Sequence, residues 1–366
     1  MPTGTSIRYA VVGLGHIAQA AVLPAFAHAR RNSRVTALVS DDPKKAKLVA
    51  RKYRVDTIYS YDDYEACLQE VDAVYIALPN SLHAEYTIRA AQAGVHVLCE
   101  KPMAVTEDEC RRMIDACRDA KVKLMIAYRL HFEQINLEAI ELVRNGRIGE
   151  PKFFNSSFAM SVRPNDIRTR KETGGGTLYD IGVYCINAAR YLFRAEPKEV
   201  MAISVNSGVA KLAEIDESTG ALLRFEGERI AAFVTSFNAA DVASYQIVGT
   251  KGQLTLDPAY EYAEGLGYQL TTNGRTTRKR IRKRDQFAPE LLYFSDCILT
   301  GRDPEPSGEE GLQDVRIVQA LYESAETGKA VPITPFTKTK RPSARQRITR
   351  PGVRKPRLVK VQSASE

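Results

Sequence analysis

The 366-residue chain has no tryptophan, and its six cysteines and five histidines are scattered. No CxxC pair and no HxxxH or HExxH group is present, so neither a zinc site nor a disulfide framework is indicated, and a reduced, metal-free protein is expected. Cys110 and Cys117 read as positions on one buried helix face. No apolar run reaches the roughly eighteen residues that a membrane helix needs. The opening MPTGTSIRYAVVGLG lacks a basic n-region and an apolar h-region, so no secretory signal is indicated and a cytoplasmic location is expected.

An excess of positive charge is present, but it is confined. The net charge is +8, yet ten Lys and Arg lie between Lys338 and Lys360 with no acid among them. The rest of the chain is therefore near neutral, which removes the case for a nucleic-acid surface on the folded body. The tail KTKRPSARQRITRPGVRKPRLVKVQSASE is punctuated by proline and reads as disordered over 337–366, with weak binding to nucleic acid or an anionic surface as the alternative. Deletion from Lys338 onward is then expected to leave turnover unchanged.

What the chain does have is regular alternation of strand and helix over its first third. Apolar, β-branched runs at 8–12, 34–39, 73–78, 96–99 and 123–127 are separated by helical patterns at 17–29, 43–53, 82–93 and 107–119. That is the grammar of a doubly wound parallel α/β sheet. Asp42-Pro43 reads as an N-cap with proline at the first helical position, Thr106 to Glu109 as a capping box, and Pro24 as a kink. After Gly149 come a strand at 152–160, a helix at 180–193 and alternating runs at 199–205, 219–225, 230–237, 244–248 and 253–256, then helices at 290–299 and 309–326. These predict a mostly antiparallel open sheet in an α+β domain. The expected organisation is a Rossmann domain over 1–128, an α+β substrate and oligomerisation domain over 129–336, and the tail.

The segment Gly13-Leu14-Gly15-His16-Ile17-Ala18 has the GxGxxA form of a dinucleotide fingerprint, set between a strand and a helix. Gly13 would make the turn, Gly15 would admit a pyrophosphate and Ala18 would permit close packing, with His16 and Ile17 opening the helix. After the second strand, Ser40 stands where an NAD enzyme places its carboxylate, and Lys45 follows in the helix, which favours NADP over NAD. Asp42 is explained as a cap, whereas Asp41 is not explained. Glu100-Lys101-Pro102 ends a strand, so Lys101 projects from the carboxyl end of the sheet where such folds bind ligands.

The stretch GGGTLYDIGVYCIN sets Asp180 and Tyr184 on one helix face behind glycines that would allow close approach to a cofactor or sugar. Tyrosine ordinarily titrates near 10, and a neighbouring ammonium stabilises the phenolate. A Lys-Tyr pair with an orienting carboxylate suits removal of a proton from an alcohol as hydride leaves its carbon. Arg129 and His131 in YRLHF fit either substrate contact or loop packing. The basic cluster from Arg278 to Arg284 reads as a solvated edge strand.

GLGHIAQ, ALPNSLHAE, CEKPMA and GGGTLYDIGVYCINAARYLF, in this order, resemble the glucose-fructose oxidoreductase/inositol dehydrogenase (Gfo/Idh/MocA) family, over residues 7 to about 333. The resemblance implies a sugar oxidoreductase in which Lys101 and Tyr184 are catalytic beside Asp180 and the Lys101-Pro102 bond is cis. It implies further that Ser40 and Lys45 meet the NADP 2′-phosphate, that Leu78, Asn80, His83 and Glu100 line the cofactor, and that Arg168 belongs to the cofactor and sugar site. Tyrosine at 184, where many relatives carry histidine, is similar to the glucose-fructose, xylose and dihydrodiol enzymes. Oxidation of a cyclic aldose at C1 is thus expected, with reduction of a second sugar as a coupled step, in a homodimer or homotetramer. The alternatives are a xylose or dihydrodiol dehydrogenase and a non-catalytic NADPH-binding regulator.

Overall fold

The computed structural model describes residues 6–338 and 340–365, which form two compact units. The first contains the residues up to Arg129 together with Asp285–Leu312 and Thr349–Ala364; the second contains Leu130–Arg284 and Gln313–Ile348. The boundaries thus differ from a simple division along the chain, because the helix Ala288–Thr300 belongs to the first unit. Polar groups as well as apolar ones explain its place. The Ser295 hydroxyl lies 2.8 Å from both Tyr9 Oη and Ser33 Oγ, and Asn32 Nδ2 donates to Leu292 O at 2.9 Å.

The first unit holds a six-stranded parallel sheet made of β1 (Ile7–Val12), β2 (Ser33–Val39), β3 (Thr57–Tyr59), β4 (Ala73–Ile76), β5 (His96–Glu100) and β6 (Leu124–Ala127), in the order β3-β2-β1-β4-β5-β6. β4 and β6 are buried throughout, which is why these strands read as unbroken apolar runs rather than alternating ones. The register pairs Val12 with Val39 on one side and with Ile76 on the other, and Ile76 with Cys99. Four strands therefore end level, and the chain leaves each at the same edge.

The expected helices form where the local signals put them. Asp42 Oδ1 accepts from Lys45 N at 2.8 Å at the start of Pro43–Tyr53, and the Thr106–Glu109 capping box closes the start of Glu107–Asp119. The first helix stays continuous through Pro24 but changes pitch, running as a π turn (Ala18–Val22), a short α segment and a 3₁₀ end. All six cysteines are free and buried. No described helix is long and apolar enough to cross a membrane.

The second unit is built on a nine-stranded sheet. To β7 (Pro151–Ser161), β8 (Pro197–Val205), β9 (Ser218–Phe225), β10 (Arg229–Ser236), β11 (Asn238–Gly249) and β12 (Gly252–Leu256) it adds β13 (Gly267–Thr272), β14 (Arg275–Arg280) and the two-residue β15 (Val331–Pro332), in the order β14-β13-β12-β11-β7-β10-β9-β8-β15. Only β7 and β10 run parallel among these pairs. The helix Val183–Phe193 covers one face, with Ser156 Oγ 3.3 Å from Cys185 Sγ and the Phe193 ring edge-on to Phe225. The other face leaves Met201, Ile203, Val205, Leu222, Ile230 and Val234 exposed.

The basic cluster lies partly on the edge strand β14, as its charge pattern suggested, with Lys279 paired to Glu138 and Arg280 to Glu264. β13 and β14 are not foreseen by apolar alternation because their residues are mostly polar. Their turn, Asn273-Gly274 with both φ positive, is the signal that marks the hairpin.

The tail is not a disordered stretch in the structure. Its described residues form no helix or strand beyond a 3₁₀ turn at Ala344–Gln346, and several are held by side chains of the folded body. Arg341 Nη2 donates to Glu196 Oε1 at 2.9 Å, with both side chains about nine-tenths buried. Glu196 also pairs with Arg190, a fully buried cation that binds Asp314 as well. Asp314 accepts from Asn187 Nδ2 at 2.9 Å, and Asn187 Oδ1 lies 2.9 Å from His131 Nε2. His131 is therefore a member of a buried polar network.

Two outcomes follow from this network. Deletion from Lys338 onward removes Arg341 from Glu196 and should lower stability by about 1–3 kcal/mol, read as a lower denaturant midpoint; an unchanged midpoint would return the tail to a passive role. Burial pushes the His131 pKa down to about 3 and that of His96 down to about 4, so both stay neutral in the fold and take up protons on unfolding below their ordinary 6.5. Stability is then full above pH 6.5 and falls as pH drops below it, by up to roughly 1.4 kcal/mol per pH unit for each histidine. In His131→Asn, denaturant titrations at pH 7, 6 and 5 should show a shallower fall than in the parent.

Candidate functional site

The carboxyl edge of the parallel sheet carries the predicted cofactor residues. Gly13 has φ +90°, its N–H donates to Val39 O at 3.0 Å, and a Cβ there would lie 2.5 Å from Ala77 O. Only glycine fits where β1 passes so close to the end of β4. A Cβ on Gly15 would meet nothing within 4 Å, so the turn is open on that side. Ala18 is fully buried, while His16 and Ile17 are half-buried at the first turn of the helix. The first N–H groups of a helix lack intrahelical partners and attract anions. Closed at Gly13 and open at Gly15, this cradle fits a pyrophosphate.

The residues after β2 fit the phosphorylated cofactor. Ser40 is buried and its Oγ accepts from Asp42 N at 3.3 Å. Asp42 caps the following helix, and Asp41 Oδ1 accepts from Tyr61 N at 3.0 Å, which explains the acid that the sequence left unassigned. Both acids are thus committed to main-chain amides, and the Lys45 amide holds the Asp42 carboxyl below its ordinary range. Ser40 and Lys45 are the residues that would hold a 2′-phosphate.

At the ends of β4 and β5 the structure separates partly open residues from buried supports. Asn80 begins a short 3₁₀ turn and is half-buried, as is Lys101, and the Lys101-Pro102 bond is cis. Leu78 is 8% exposed. His83 is fully buried, with Nδ1 2.9 Å from Pro102 O and Nε2 3.0 Å from Leu78 O. Because both nitrogens face main-chain carbonyls, His83, expected to line the cofactor, is closed off inside the protein. It ties the loop after β4 to the turn that carries Lys101.

Glu100 is likewise more support than lining. Its Oε1 accepts from Tyr75 Oη at 2.8 Å, and burial raises its pKa, with the Lys101 charge opposing. Glu290, from the helix Ala288–Thr300, is fully buried, and burial, with the Glu100 charge adding to it, pushes its carboxyl well above the usual range. No spacing in the sequence pairs Glu290 with Glu100. Arg129 is buried and donates to Gln286 in the same unit, a packing role rather than substrate contact.

The second unit holds Arg168, Asp180 and Tyr184. The glycines before Asp180 are required, though by the protein itself. A Cβ on Gly175 would lie 2.4 Å from Arg168 O, and one on Gly176, at φ +125°, would lie 2.4 Å from Tyr322 Oη. They let the backbone of the 168–170 loop and Tyr322 pack against the helix start, so the space expected for a sugar or cofactor is filled. Thr177 N donates to both Asp216 oxygens at 3.2 Å, and Tyr322 Oη donates to Asp216 Oδ1 at 2.8 Å. Asp216 has no local sequence signal, since it comes from a distant loop.

The helix opens with a π turn over Leu178–Gly182 and continues as α over Val183–Phe193. From 178 to 193 every residue is buried except Asp180, Tyr184 and Ala188, which are partly open. The carboxylate and the phenol therefore share the one accessible stripe of an otherwise enclosed helix. Phe158 packs edge-on to the Tyr184 ring at 5.6 Å, and Tyr260 lies 5.8 Å away, which fixes the phenol's direction. Asp180 Oδ2 accepts from Arg168 Nε at 2.7 Å, and Arg168 also pairs with Asp166. Arg168 thus pairs with Asp180 inside the second unit.

Comparisons with known proteins agree with this geometry. The model of an oxidoreductase family with an NAD-binding Rossmann fold, GFO_IDH_MocA, matches residues 7–128, and the model of the GFO/IDH/MocA C-terminal domain matches 136–255. The D-xylose 1-dehydrogenase [NADP(+)] of Haloarcula marismortui is 33% identical over 90% of this chain and 94% of its own. The aldose-aldose oxidoreductase of Caulobacter crescentus is 37% identical with a TM-score of 0.85, covering 90% of this chain and all of that one. A 3-ketoreductase of Actinomadura kijaniata, solved with NADP and TDP-benzene, is 28% identical with a TM-score of 0.80 over 87% of this chain and 98% of its own. With a level-ended parallel sheet, a fingerprint cradle and both family models matching in order, the chain belongs to the Gfo/Idh/MocA family of oxidoreductases.

Proposed function

We propose that the protein is an NADP-dependent sugar oxidoreductase that oxidises the C1 hydroxyl of a cyclic aldose to a lactone. The observation that carries this reading is the single open stripe of Asp180 and Tyr184 on a buried helix, presented by the unit that does not hold the fingerprint. Bound NADP would supply the hydride acceptor.

In this reading Tyr184 takes the hydroxyl proton as the C1–H bond gives up its electron pair and the C1–O bond becomes a carbonyl. In this reading Lys101 is the lysine that the motif pairs with Tyr184. Asp180, its charge balanced by Arg168, accepts a hydrogen bond from a sugar hydroxyl and orients it. Glu100 and His83 keep the Lys101 turn in place. A regulator that only binds NADPH has no need for this proton path.

The xylose and aldose-aldose relatives support an aldose as substrate, and the second of them supports return of the hydride to another sugar. The test is the nicotinamide absorbance of the purified protein, followed on adding glucose or xylose and then fructose. A rise with an aldose and a fall with fructose is the outcome expected for sugar-to-sugar transfer. Turnover only with added NADP would mean a simple dehydrogenase, and silence with every aldose would remove the substrate reading. Tyr184→Phe should lower turnover by about 10²–10⁴-fold with cofactor affinity nearly unchanged, and full activity would take Tyr184 out of the mechanism.

The uncovered face of the nine-stranded sheet, where Ile203 is 68% exposed, is in this reading the surface on which a second copy docks. Sedimentation should find a dimer or tetramer, and Ile203→Arg should shift it toward monomer; a monomeric parent protein would end this assignment.

A further inference from the structure

The cofactor end of the first unit carries an element that the fingerprint does not account for. Residues 357–360 of the basic tail lie against the helix that follows the glycines and the helix that follows Ser40. Gln19, only 1% exposed, makes the principal contact. Its Nε2 donates to Leu14 O at 3.0 Å and to Val359 O at 3.0 Å, while its Oε1 accepts from Val359 N at 2.8 Å. One carboxamide therefore binds both main-chain groups of Val359, as a neighbouring strand would, and ties that residue to the fingerprint turn. Lys52 Nζ, in the helix Pro43–Tyr53, donates to Arg357 O at 2.7 Å and fixes the segment at a second point.

What these contacts deliver is Lys360. Its Nζ lies 3.4 Å from both oxygens of Asp42, the residue whose N–H meets Ser40 Oγ and whose carboxylate caps Lys45. A basic residue more than three hundred positions away in sequence thus arrives in the short span from Ser40 to Lys45. Asp42 is one of the two acids of that span, and Lys360 pairs with its carboxylate.

We propose that Lys360, held in place by the Gln19–Val359 pair, is a cofactor-specificity residue: it makes the rim after β2 cationic and so favours a ribose 2′-phosphate over a 2′-hydroxyl. This rests on the reading of Ser40 and Lys45 as that rim. Lys360 is itself about half exposed, so its effect is that of a surface charge and is screened by salt. Selectivity for NADP is accordingly split between residues on the Rossmann unit's own loop and one residue of the tail.

The test is direct binding of NADPH and NADH to the full-length protein, followed by nicotinamide fluorescence or calorimetry, with Lys360→Ala, Lys360→Arg and Lys45→Ala compared. Lys360→Ala should weaken NADPH binding roughly fivefold at low salt, leave NADH binding unchanged and lose most of its effect at high salt. Lys360→Arg should restore the parent affinity. If Lys45→Ala weakens NADPH selectively while Lys360→Ala changes nothing, the rim stands and the role of Lys360 falls. Equal weakening of both cofactors by Lys360→Ala would show a strap without specificity and also overturn the proposal. If neither variant separates NADPH from NADH, the rim reading fails and takes the proposal with it.

Discussion

The level ending of four parallel strands is the constraint on which the rest of the first unit depends. Parallel ladders with Val12 opposite both Val39 and Ile76, and Ile76 opposite Cys99, oblige the chain to leave the sheet at one edge four times. Gly13, Ser40, Leu78 and Lys101 are brought together by that register and by nothing local. Glycine at 13 is what the register demands, because the carbonyl of Ala77 stands where any larger residue would put its Cβ. The same residue that admits the sheet's closeness also begins the phosphate cradle, so packing and binding are imposed by one atom's absence.

Around this edge the buried ionisable groups are mainly supports. His83 and Glu100 are shielded from solvent and hold main chain or a neighbouring hydroxyl, leaving Lys101 and Asn80 as partly open groups. Asp41 and Asp42 are engaged by amides, so the rim presents a hydroxyl and lysines rather than free carboxylates. In the proposed reading, the preference for a phosphorylated cofactor draws on what the acids are already doing as much as on the cations nearby.

The second unit is organised by a different device, a fully buried arginine satisfied by two acids. Arg190 pairs with Glu196 and Asp314, and the network runs on to Asn187 and His131 and, through Glu196, to Arg341. A buried cation of this kind is costly unless every partner is present, which fixes the helix carrying Asp180 and Tyr184 relative to the helix carrying Asp314. Asp216 and the close-packed glycines fix the other end of the same helix. Rigidity at both ends leaves the stripe of Asp180, Tyr184 and Ala188 as its accessible part.

The sequence by itself determined the two-part α/β and α+β plan, because continuous apolar runs, alternating runs and capping residues act over a few positions. Asp42, Thr106, Pro24 and the fingerprint glycines behave in the structure as their local chemistry requires. Strand-end position and helix spacing singled out Lys101, Asp180 and Tyr184, and the family resemblance, carried by motifs in order, supplied their catalytic roles. Tertiary structure decided which polar residues stay open to solvent and which face the protein. His83 turned inward, the glycines at 175 and 176 served packing, Arg168 joined Asp180, and Glu290 came to lie by Glu100. It also gave the tail an ordered path, since proline and charge remove helices and cores from a segment but do not forbid hydrogen bonds to a folded surface. Those outcomes depend on partners hundreds of residues away, such as Val359 for Gln19 and Asp314 for Arg190, and no local rule reaches that far.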